Sequence, residues 1–240
     1  PAFMTGLVDA IQAHQQSHAC ILVHGGGRAI NDLMEKLAIE PVYKNGQRVT
    51  DQATLEVAEM VLSGTVNKKL VLAMVSAGVD AAGMSGVDRG LLQVEPWGEN
   101  MALVGRIVQV RTDVLAGYME ENVVPVVSPI SVGPAGRYNV NADHAAGRIA
   151  GALEAEQAIF ITNTPGVLSD DAVIPTLIDR EVHDLIQSGA IYGGMIPKVN
   201  AALDALQFGA KSAVITNLAG FGNQTGTTIL TERKFNVTEY

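Results

Sequence analysis

Short runs of β-branched and aliphatic residues alternate along the chain with segments whose apolar residues recur every three or four positions. The first pattern predicts buried strands and the second predicts helices with one apolar face. Their alternation is typical of an α/β protein. We therefore predict an open, mainly parallel sheet between two layers of helices, a three-layer αβα fold. The predicted strands are residues 20–23, 79–84, 123–128, 158–162 and 213–216, and the predicted helices are residues 3–16, 29–37, 51–62, 112–121, 142–153 and 194–208.

Two segments interrupt this alternation and are predicted to be β-hairpins. Residues 42–49 turn at Asn45-Gly46, a dipeptide that favours tight hairpin turns. Residues 131–139 carry Gly133-Pro134-Ala135-Gly136 at their centre. Connecting segments of this kind often carry the binding residues of an α/β fold, so we expect the hairpins to cover the ligand edge of the sheet.

Charge and composition exclude several classes of function. The formal net charge of −9 disfavours a general nucleic-acid binder, because phosphate would be repelled, but a few well-placed donors would still bind a small anion. Cys20 is the only cysteine, which excludes an intrachain disulfide and a cysteine-based zinc site. No apolar run approaches the roughly 18 residues of a membrane span, and no secretory signal is recognisable, so we expect a cytoplasmic protein.

A run of glycines follows the first predicted strand. His24-Gly25-Gly26-Gly27 lies between that strand and the next predicted helix. Glycines let the backbone approach a ligand closely, and the free N–H groups of a helix start bind anions. Taken alone, the segment is better explained as a tight structural turn.

Three further segments carry polar residues beside predicted helix starts. Arg48 leaves the first hairpin, and its planar guanidinium suits a carboxylate. Asp143 enters a helix that Asn141 is placed to cap, and it would orient cationic groups at a phosphoryl-transfer centre. Lys198 stands near a helix start after Gly193-Gly194, where an ammonium and backbone N–H groups would face a transferring phosphoryl group. Taken alone, Arg48 and Lys198 are better explained as surface residues, and Asp143 often does no more than complement the helix dipole.

The segment after another predicted strand is a further candidate for ligand binding. Residues 161–168 run from a predicted strand into a turn at Pro165-Gly166. In an open α/β sheet, ligands bind outside the carboxyl ends of the strands. The alternative is an ordinary loop.

Five segments stand in a specific order along the chain: His24-Gly25-Gly26-Gly27, Asn45-Gly46-Gln47-Arg48-Val49-Thr50, Gly64-Thr65-Val66-Asn67-Lys68, Asn139-Val140-Asn141-Ala142-Asp143 and Gly194-Met195-Ile196-Pro197-Lys198. Together they resemble the amino acid kinase family, and within it the kinases that act on N-acetyl-L-glutamate. The resemblance extends over residues 24–228, so chance agreement is a poor explanation. It implies the amino-acid kinase fold and transfer of the ATP γ-phosphoryl group to the side-chain carboxylate of N-acetyl-L-glutamate, in arginine biosynthesis. It also implies Mg²⁺ bridging the phosphates, and a homodimer or a larger homo-oligomer.

The resemblance further implies a single domain with two lobes. Residues 1–150 would form roughly the lobe for the amino-acid substrate, and residues 151–240 the nucleotide lobe. In the first lobe, Gly26 and Gly27 would bind the substrate and the γ-phosphoryl group through backbone N–H groups. Arg48 would hold the α-carboxylate of the acylated amino acid, and Asn139 would also contact that substrate.

Catalytic and nucleotide-binding roles follow from the same resemblance. Lys198 would neutralise the charge that develops on the nucleotide side of the transferring group, and Asp143 would position the lysines. The nucleotide pocket would be lined by Asn163, Thr164, Pro165, Gly166, Val167, Leu168 and Tyr192.

Three features depart from the family pattern. Members begin with a strand that carries a Lys-x-Gly-Gly motif, whose lysine contacts the phosphoryl group; the sequence here opens within a helical pattern, and we expect the strand to be present in the natural protein. Asn163 stands where aspartate is common, so one negative charge near the nucleotide is missing. The ending over residues 222–228 is compact, which leaves the contacts to the nucleotide base open.

Three other readings compete with a kinase for N-acetyl-L-glutamate. A kinase for an N-acylated aminoadipate would use the same Arg48 and Asn139, because one methylene is worth only ~1–3 kcal/mol of discrimination. A non-catalytic sensor of nucleotide or amino acid would share the fold, although Asp143 and Lys198 count against it. A dinucleotide oxidoreductase is the weakest reading, because the glycine run lacks the G-x-G-x-x-G spacing.

Overall fold

The fold is described from a computed structural model, which describes residues 2–44, 46–169 and 172–232. Helices and strands alternate as the sequence predicts. The helices are α1 (Ala2–Gln15), α2 (Gly27–Lys36), α3 (Gln52–Glu59), α4 (Asn67–Ser76), α5 (Thr112–Glu120), α6 (Ala142–Ala152), α7 (Asp179–Gln187), α8 (Met195–Gln207) and α9 (Leu218–Asn223). The strands are β1 (Leu22–Val23), β2 (Tyr43–Lys44), β3 (Gln47–Arg48), β4 (Ala81–Ser85), β5 (Leu92–Pro96), β6 (Gly105–Val110), β7 (Val124–Ser128), β8 (Ile130–Gly133), β9 (Gly136–Asn139), β10 (Ala158–Ile161), β11 (Leu168–Ser169), β12 (Ala172–Val173), β13 (Thr176–Ile178), β14 (Ala213–Thr216) and β15 (Thr227–Leu230).

Two compact units divide the chain. One comprises His14–Ala145, and the other joins the chain before His14 to the chain after Ala145. The assignment of a substrate lobe and a nucleotide lobe with a boundary near residue 150 stays a prediction.

The unit His14–Ala145 contains a parallel sheet in the order β1-β7-β4. Val126 in the central strand β7 pairs with Leu22 on one side and with Gly83 on the other. All residues of β7 are buried, as expected for an apolar run covered on both faces. The carboxyl ends of the three strands therefore lie at one edge, where the glycine run begins.

Hairpins and antiparallel strands complete this unit. The second predicted hairpin is confirmed, because β8 pairs antiparallel with β9 and Ile130 lies opposite Asn139. In the first predicted hairpin Tyr43 pairs with Arg48, while Asn45, at its predicted turn, lies outside the described residues. Strands β5 and β6 also pair antiparallel and were not predicted from the sequence.

The helix predicted over residues 51–62 is longer than expected. It begins after Asp51, whose carboxylate accepts a hydrogen bond from the Thr54 N–H at 2.8 Å, and this bond lowers the pKa of Asp51. It then continues through a π-helical segment, Met60–Val66, directly into α4. The predicted end at residue 62 was wrong, because the wider π turn shifts the apolar face by about one residue and breaks the single 3.6-residue period.

The other unit contains a four-stranded sheet in the order β10-β14-β15-β13. Strands β10 and β14 are parallel, whereas β15 runs antiparallel to β14. Its core is a cluster that includes Phe160, Ile215 and Ile229 of the sheet and Val199 of α8. None of the helices in the described parts of the chain has the length and apolarity that crossing a membrane requires.

Candidate active site

The glycine run forms the turn between β1 and α2. The His24 N–H donates to the Val127 carbonyl oxygen at 3.1 Å, and α2 begins at Gly27. A Cβ on Gly26 would lie 2.9 Å from Leu62 Cδ2, so the turn packs too closely for a side chain there. A Cβ on Gly27 would meet nothing within 4 Å. Open space therefore lies beside the start of α2, where backbone N–H groups lack helical partners and are able to donate to an anion.

Arg48 lies beside this helix start and is only 9% exposed. Its guanidinium donates to Asn31 Oδ1 at 2.7 Å and to the Gly27 carbonyl oxygen at 3.4 Å. It also contacts Met34 Sδ at 3.3 Å, and its Cζ lies 4.9 Å from the centroid of the Tyr43 ring. All of these partners are neutral, and among the described residues no carboxylate pairs with Arg48.

Asn139 is connected to Arg48 through a buried threonine. Asn139 Nδ2 donates to Thr50 Oγ1 at 3.1 Å, and the Thr50 hydroxyl donates to the Arg48 carbonyl oxygen at 3.1 Å. Thr50 is fully buried, so this link is part of the core. The two residues predicted to bind the amino-acid substrate therefore lie close together.

The start of α6 lies against the same glycine turn. Asn141 Oδ1 accepts from the Asp143 N–H at 2.9 Å and from the His144 N–H at 3.2 Å, which confirms its predicted capping role. A Cβ on Gly25 would lie 3.4 Å from the Ala142 Cβ. Asp143 stands in the first turn of this helix, where a carboxylate complements the helix dipole.

His24 is buried behind the glycine turn in the neutral form. Its Nε2 lies 3.1 Å from Asn67 Nδ2, and its Nδ1 lies 3.2 Å from the Gly25 carbonyl oxygen. An amide nitrogen only donates, so Nε2 accepts and Nδ1 carries the proton. Burial lowers the pKa of His24, opposed by the smaller effect of the hydrogen bond to Gly25.

The predicted nucleotide segment follows β10 in the other unit. Asn163 and Pro165 are exposed, whereas Gly166 and Val167 are buried. The Val167 N–H donates to Thr227 Oγ1 at 2.8 Å, and a Cβ on Gly166 would lie 2.7 Å from the same oxygen. The turn is therefore packed tightly against β15. Its first polar residue, Asn163, follows the carboxyl end of β10 in the parallel pair β10 and β14.

The remaining predicted residues of this unit differ in exposure. Thr164 is half-buried, and its Oγ1 is buried without a hydrogen-bond partner among the described residues. Leu168 is half-buried in β11, and Tyr192, before α8, is 76% exposed. Pro197 and the half-buried Lys198 are the third and fourth residues of α8, which confirms the predicted helix start.

The predicted residues thus fall into two groups. Those assigned to the amino-acid substrate gather within His14–Ala145, together with Asp143, and the nucleotide segment and Lys198 belong to the other unit. Sequence reasoning missed Asn31 and Thr50, which contact Arg48 and Asn139; the only available signal was their proximity in sequence to the glycine run and to Arg48. In the described part of the chain, no three His, Cys, Asp or Glu side chains are grouped to hold a metal ion.

Comparison with known families decides the class of this fold. The model of the amino acid kinase family matches residues 2–217. The chain belongs to the amino acid kinase family. This membership confirms the predicted α/β fold and makes the protein a kinase, a phosphotransferase that uses ATP.

Relatives and solved structures agree with this assignment. The chain is 51% identical over 218 residues to an acetylglutamate kinase of Roseiflexus sp. (strain RS-1), which covers 89% of this chain and 83% of that protein. It is 44% identical over 221 residues to an acetylglutamate kinase of Methanopyrus kandleri, covering 87% and 90%. The crystal structure of smu.665 from Streptococcus mutans UA159 superposes with a TM-score of 0.85 at 28% identity, covering 94% and 91%.

Proposed function

We propose that this protein transfers the γ-phosphoryl group of ATP to the side-chain carboxylate of N-acetyl-L-glutamate, a step of arginine biosynthesis in the cytoplasm. The relatives from Roseiflexus and Methanopyrus are named acetylglutamate kinases, which supports this substrate. The observation that carries the proposal is the buried, unneutralised charge of Arg48.

Burial of a cation without an anionic partner is costly, because desolvation is not offset by a counter-charge. Arg48 is held by the amide oxygen of Asn31, the Gly27 carbonyl oxygen and the sulfur of Met34, which are all neutral acceptors. These contacts fix the guanidinium and leave its charge available. A substrate α-carboxylate would supply the missing charge in the bidentate geometry that arginine favours. Asn139 would donate to the same substrate.

The phosphoryl-transfer step needs positioning more than a base. A carboxylate is already a nucleophile, and the obstacles are repulsion between two anions and in-line alignment. The N–H groups of Gly26 and Gly27 at the start of α2 suit the equatorial oxygens of the transferring group. Lys198, near the start of α8, would neutralise charge on the nucleotide side, and Asp143 would orient cationic side chains.

The nucleotide side of the proposal rests on the segment after β10. Asn163, Thr164, Pro165, Gly166, Val167, Leu168 and Tyr192 would line the ATP pocket. The buried Thr164 hydroxyl without a partner supports a polar ligand there, because such groups are normally satisfied. A solved carbamate kinase from Giardia lamblia bound to AMP-PNP shares this fold with a TM-score of 0.70 at 17% identity.

Mg²⁺ fits this scheme as a metal that arrives with the nucleotide. Kinase Mg²⁺ takes most of its ligands from phosphates and water and only one or two carboxylates from the protein. Such a metal needs no cluster of three protein ligands, and the described residues form none. When bound with the nucleotide, the ion would supply positive charge that reduces the repulsion between the phosphates and the attacking carboxylate.

We also propose that the protein forms a homodimer or a larger homo-oligomer. Leu72 and Val75 stand three residues apart on α4 and are 66% and 53% exposed. Apolar side chains at that spacing share one helix face, and a second copy would cover them. Light scattering on the purified protein measures the state directly.

Two alternatives remain open under this fold. A kinase for an N-acylated aminoadipate would use the same Arg48, and a sensor would bind ligands without turnover. ADP release should therefore be measured with N-acetylglutamate, N-acetylaminoadipate and free glutamate, on full-length protein whose N-terminus is checked by intact mass. A preference for N-acetylglutamate supports the proposal. A preference for the longer acid supports the first alternative, and binding of both ligands without ADP release supports the second.

A further inference from the structure

A buried asparagine joins three strands behind the glycine turn. Asn67, the first residue of α4, is 0% exposed. Its Nδ2 donates to the Val126 carbonyl oxygen at 2.8 Å and lies 3.4 Å from that of Met84, so it contacts β7 and β4. The same Nδ2 lies 3.1 Å from His24 Nε2, directly after β1. One amide group therefore contacts the central strand β7, the strand β4 and the histidine that follows β1.

The orientation of this amide is set from its other side. Lys68 Nζ donates to Asn67 Oδ1 at 3.1 Å and to the Gly83 carbonyl oxygen at 3.4 Å. The ammonium can only donate, so the oxygen of Asn67 faces Lys68 and its nitrogen faces His24. A Cβ on Gly83 would overlap Asn67 Oδ1 and lie 2.6 Å from Lys68 Nζ. The network occupies space that exists only because position 83 is glycine.

The histidine connects this hydrogen-bond network to the backbone of the glycine turn. With Nε2 accepting from Asn67, the proton is on Nδ1, which donates to the Gly25 carbonyl oxygen at 3.2 Å. A peptide unit is planar and trans, so the Gly26 N–H points opposite to the Gly25 C=O. Glycines on both sides let this peptide rotate at little steric cost. The His24 hydrogen bond is therefore what selects one orientation of the Gly26 N–H.

We propose that His24 is a positioning residue for phosphoryl transfer, which Asn67 holds in one tautomer, and that its Nδ1–H holds the Gly25-Gly26 peptide so that the Gly26 N–H faces the transferring group. This inference rests on the proposed function, in which Gly26 and Gly27 donate to that group. Preorganised donors act mainly on charge that develops in the transition state. Loss of the network should thus lower kcat and leave the KM for N-acetylglutamate nearly unchanged, because Arg48 and Asn139 are not part of it.

A pair of histidine variants separates the two links of this network. The amide of a glutamine reaches about as far as Nε2, so His24→Gln keeps an acceptor for Asn67 but loses the donor to Gly25. The shorter His24→Asn keeps a donor near the Nδ1 position. We expect His24→Gln to lower kcat by about tenfold or more and to leave KM within about threefold of the wild type. The fall in kcat should be smaller than the roughly 10²–10³-fold fall that follows deletion of a hydrogen-bond donor. His24→Asn should retain kcat within about threefold. His183→Gln, on an exposed position of α7, is the matched control.

The outcomes distinguish this proposal from the proposed function. Suppose that the wild type turns over N-acetylglutamate. If His24→Gln then has the same kcat as His183→Gln, or if His24→Asn lowers kcat as much as His24→Gln does, the positioning role is wrong and the kinase assignment stands. If the wild type shows no turnover, both proposals are overturned. Should the variants fail to fold, ¹H–¹⁵N spectra of the wild-type imidazole decide, because the proposal requires the proton on Nδ1 of His24. A proton on Nε2 overturns it.

Discussion

Replacement of Arg48 by alanine tests the most specific claim about the substrate. The change removes a guanidinium that lies buried beside the start of α2 and whose partners among the described residues are all neutral. If this group binds the α-carboxylate of N-acetylglutamate, the variant leaves that carboxylate without a cation. The KM for N-acetylglutamate should rise far more than kcat falls, because the α-carboxylate does not change during the reaction.

The size of the effect follows from the burial of Arg48. Loss of one partner of a buried, hydrogen-bonded charge pair costs about 2–5 kcal/mol. Each 1.4 kcal/mol is a factor of ten in affinity, so KM should rise roughly 30-fold or more. Arg106, which is exposed and paired with Glu95, provides the control. Arg106 is not among the residues proposed to bind the substrate, so Arg106→Ala should leave KM close to that of the wild type.

Steady-state kinetics with a second substrate isolate the interaction between Arg48 and the α-carboxylate. The α-amide of N-acetylglutamate keeps the reacting side-chain carboxylate and lacks the charge that Arg48 would bind. For the wild type, the KM for this amide should exceed the KM for the acid by about the same factor as Arg48→Ala raises the KM for the acid. The two losses should not add when they are combined, because each removes the same interaction. Fully additive losses, or a fall in kcat at constant KM, would refute the assignment of Arg48.

Three further predictions concern catalysis and stability. Lys198→Ala should lower kcat by about 10²–10³ and change the KM for N-acetylglutamate little, whereas the exposed Lys211→Ala should keep wild-type kinetics; a mainly raised KM would contradict this. The lowered pKa of His24 means that the unfolded chain binds more protons than the folded chain near and below pH 6.5. In urea unfolding, His24 should therefore contribute stability that is present above about pH 6.5, falls as the pH drops below it and is absent from His24→Gln. Equal pH slopes of the free energy of unfolding in the wild type and in His24→Gln would contradict it. Gly166→Ala, whose Cβ would lie 2.7 Å from a hydroxyl of β15, should lower the free energy of unfolding by about 1–3 kcal/mol, unlike Gly222→Ala, where a Cβ meets nothing within 4 Å; equal urea midpoints would contradict it.

Much of the fold was predictable because buried parallel strands have a strong local signal. Residues 213–216 form β14 with the predicted bounds, and β7 starts one residue later than predicted, since both are apolar runs covered on two faces. The segment Met60–Val66 was not predictable, because a π turn breaks the period on which helix prediction depends. Strand β15 in the compact C-terminal ending was missed for another reason: it is short, and one of its two partners, β13, precedes it by several elements.

The sequence predicts candidate site residues, which stay predictions, but it does not predict the environment of each residue. The family resemblance implies that Arg48 binds a carboxylate, and its planar guanidinium suits that role. Its burial against Asn31 and Met34 depends on how the hairpin packs on α2, which no local pattern encodes. The same limit applies to Asn67 and His24, which lie 43 positions apart in sequence and meet only because β1, β7 and β4 form one sheet.

Trapping of the product shows which carboxyl group of the substrate receives the phosphoryl group. Full-length protein is incubated with ATP, Mg²⁺, N-acetylglutamate and hydroxylamine, which converts an acyl phosphate into a hydroxamate, and fragmentation in the mass spectrometer locates the modified carboxyl group. We expect an ATP-dependent hydroxamate on the side-chain carboxylate of N-acetylglutamate. A hydroxamate on the α-carboxylate, or none at all from protein that binds both substrates, would contradict it.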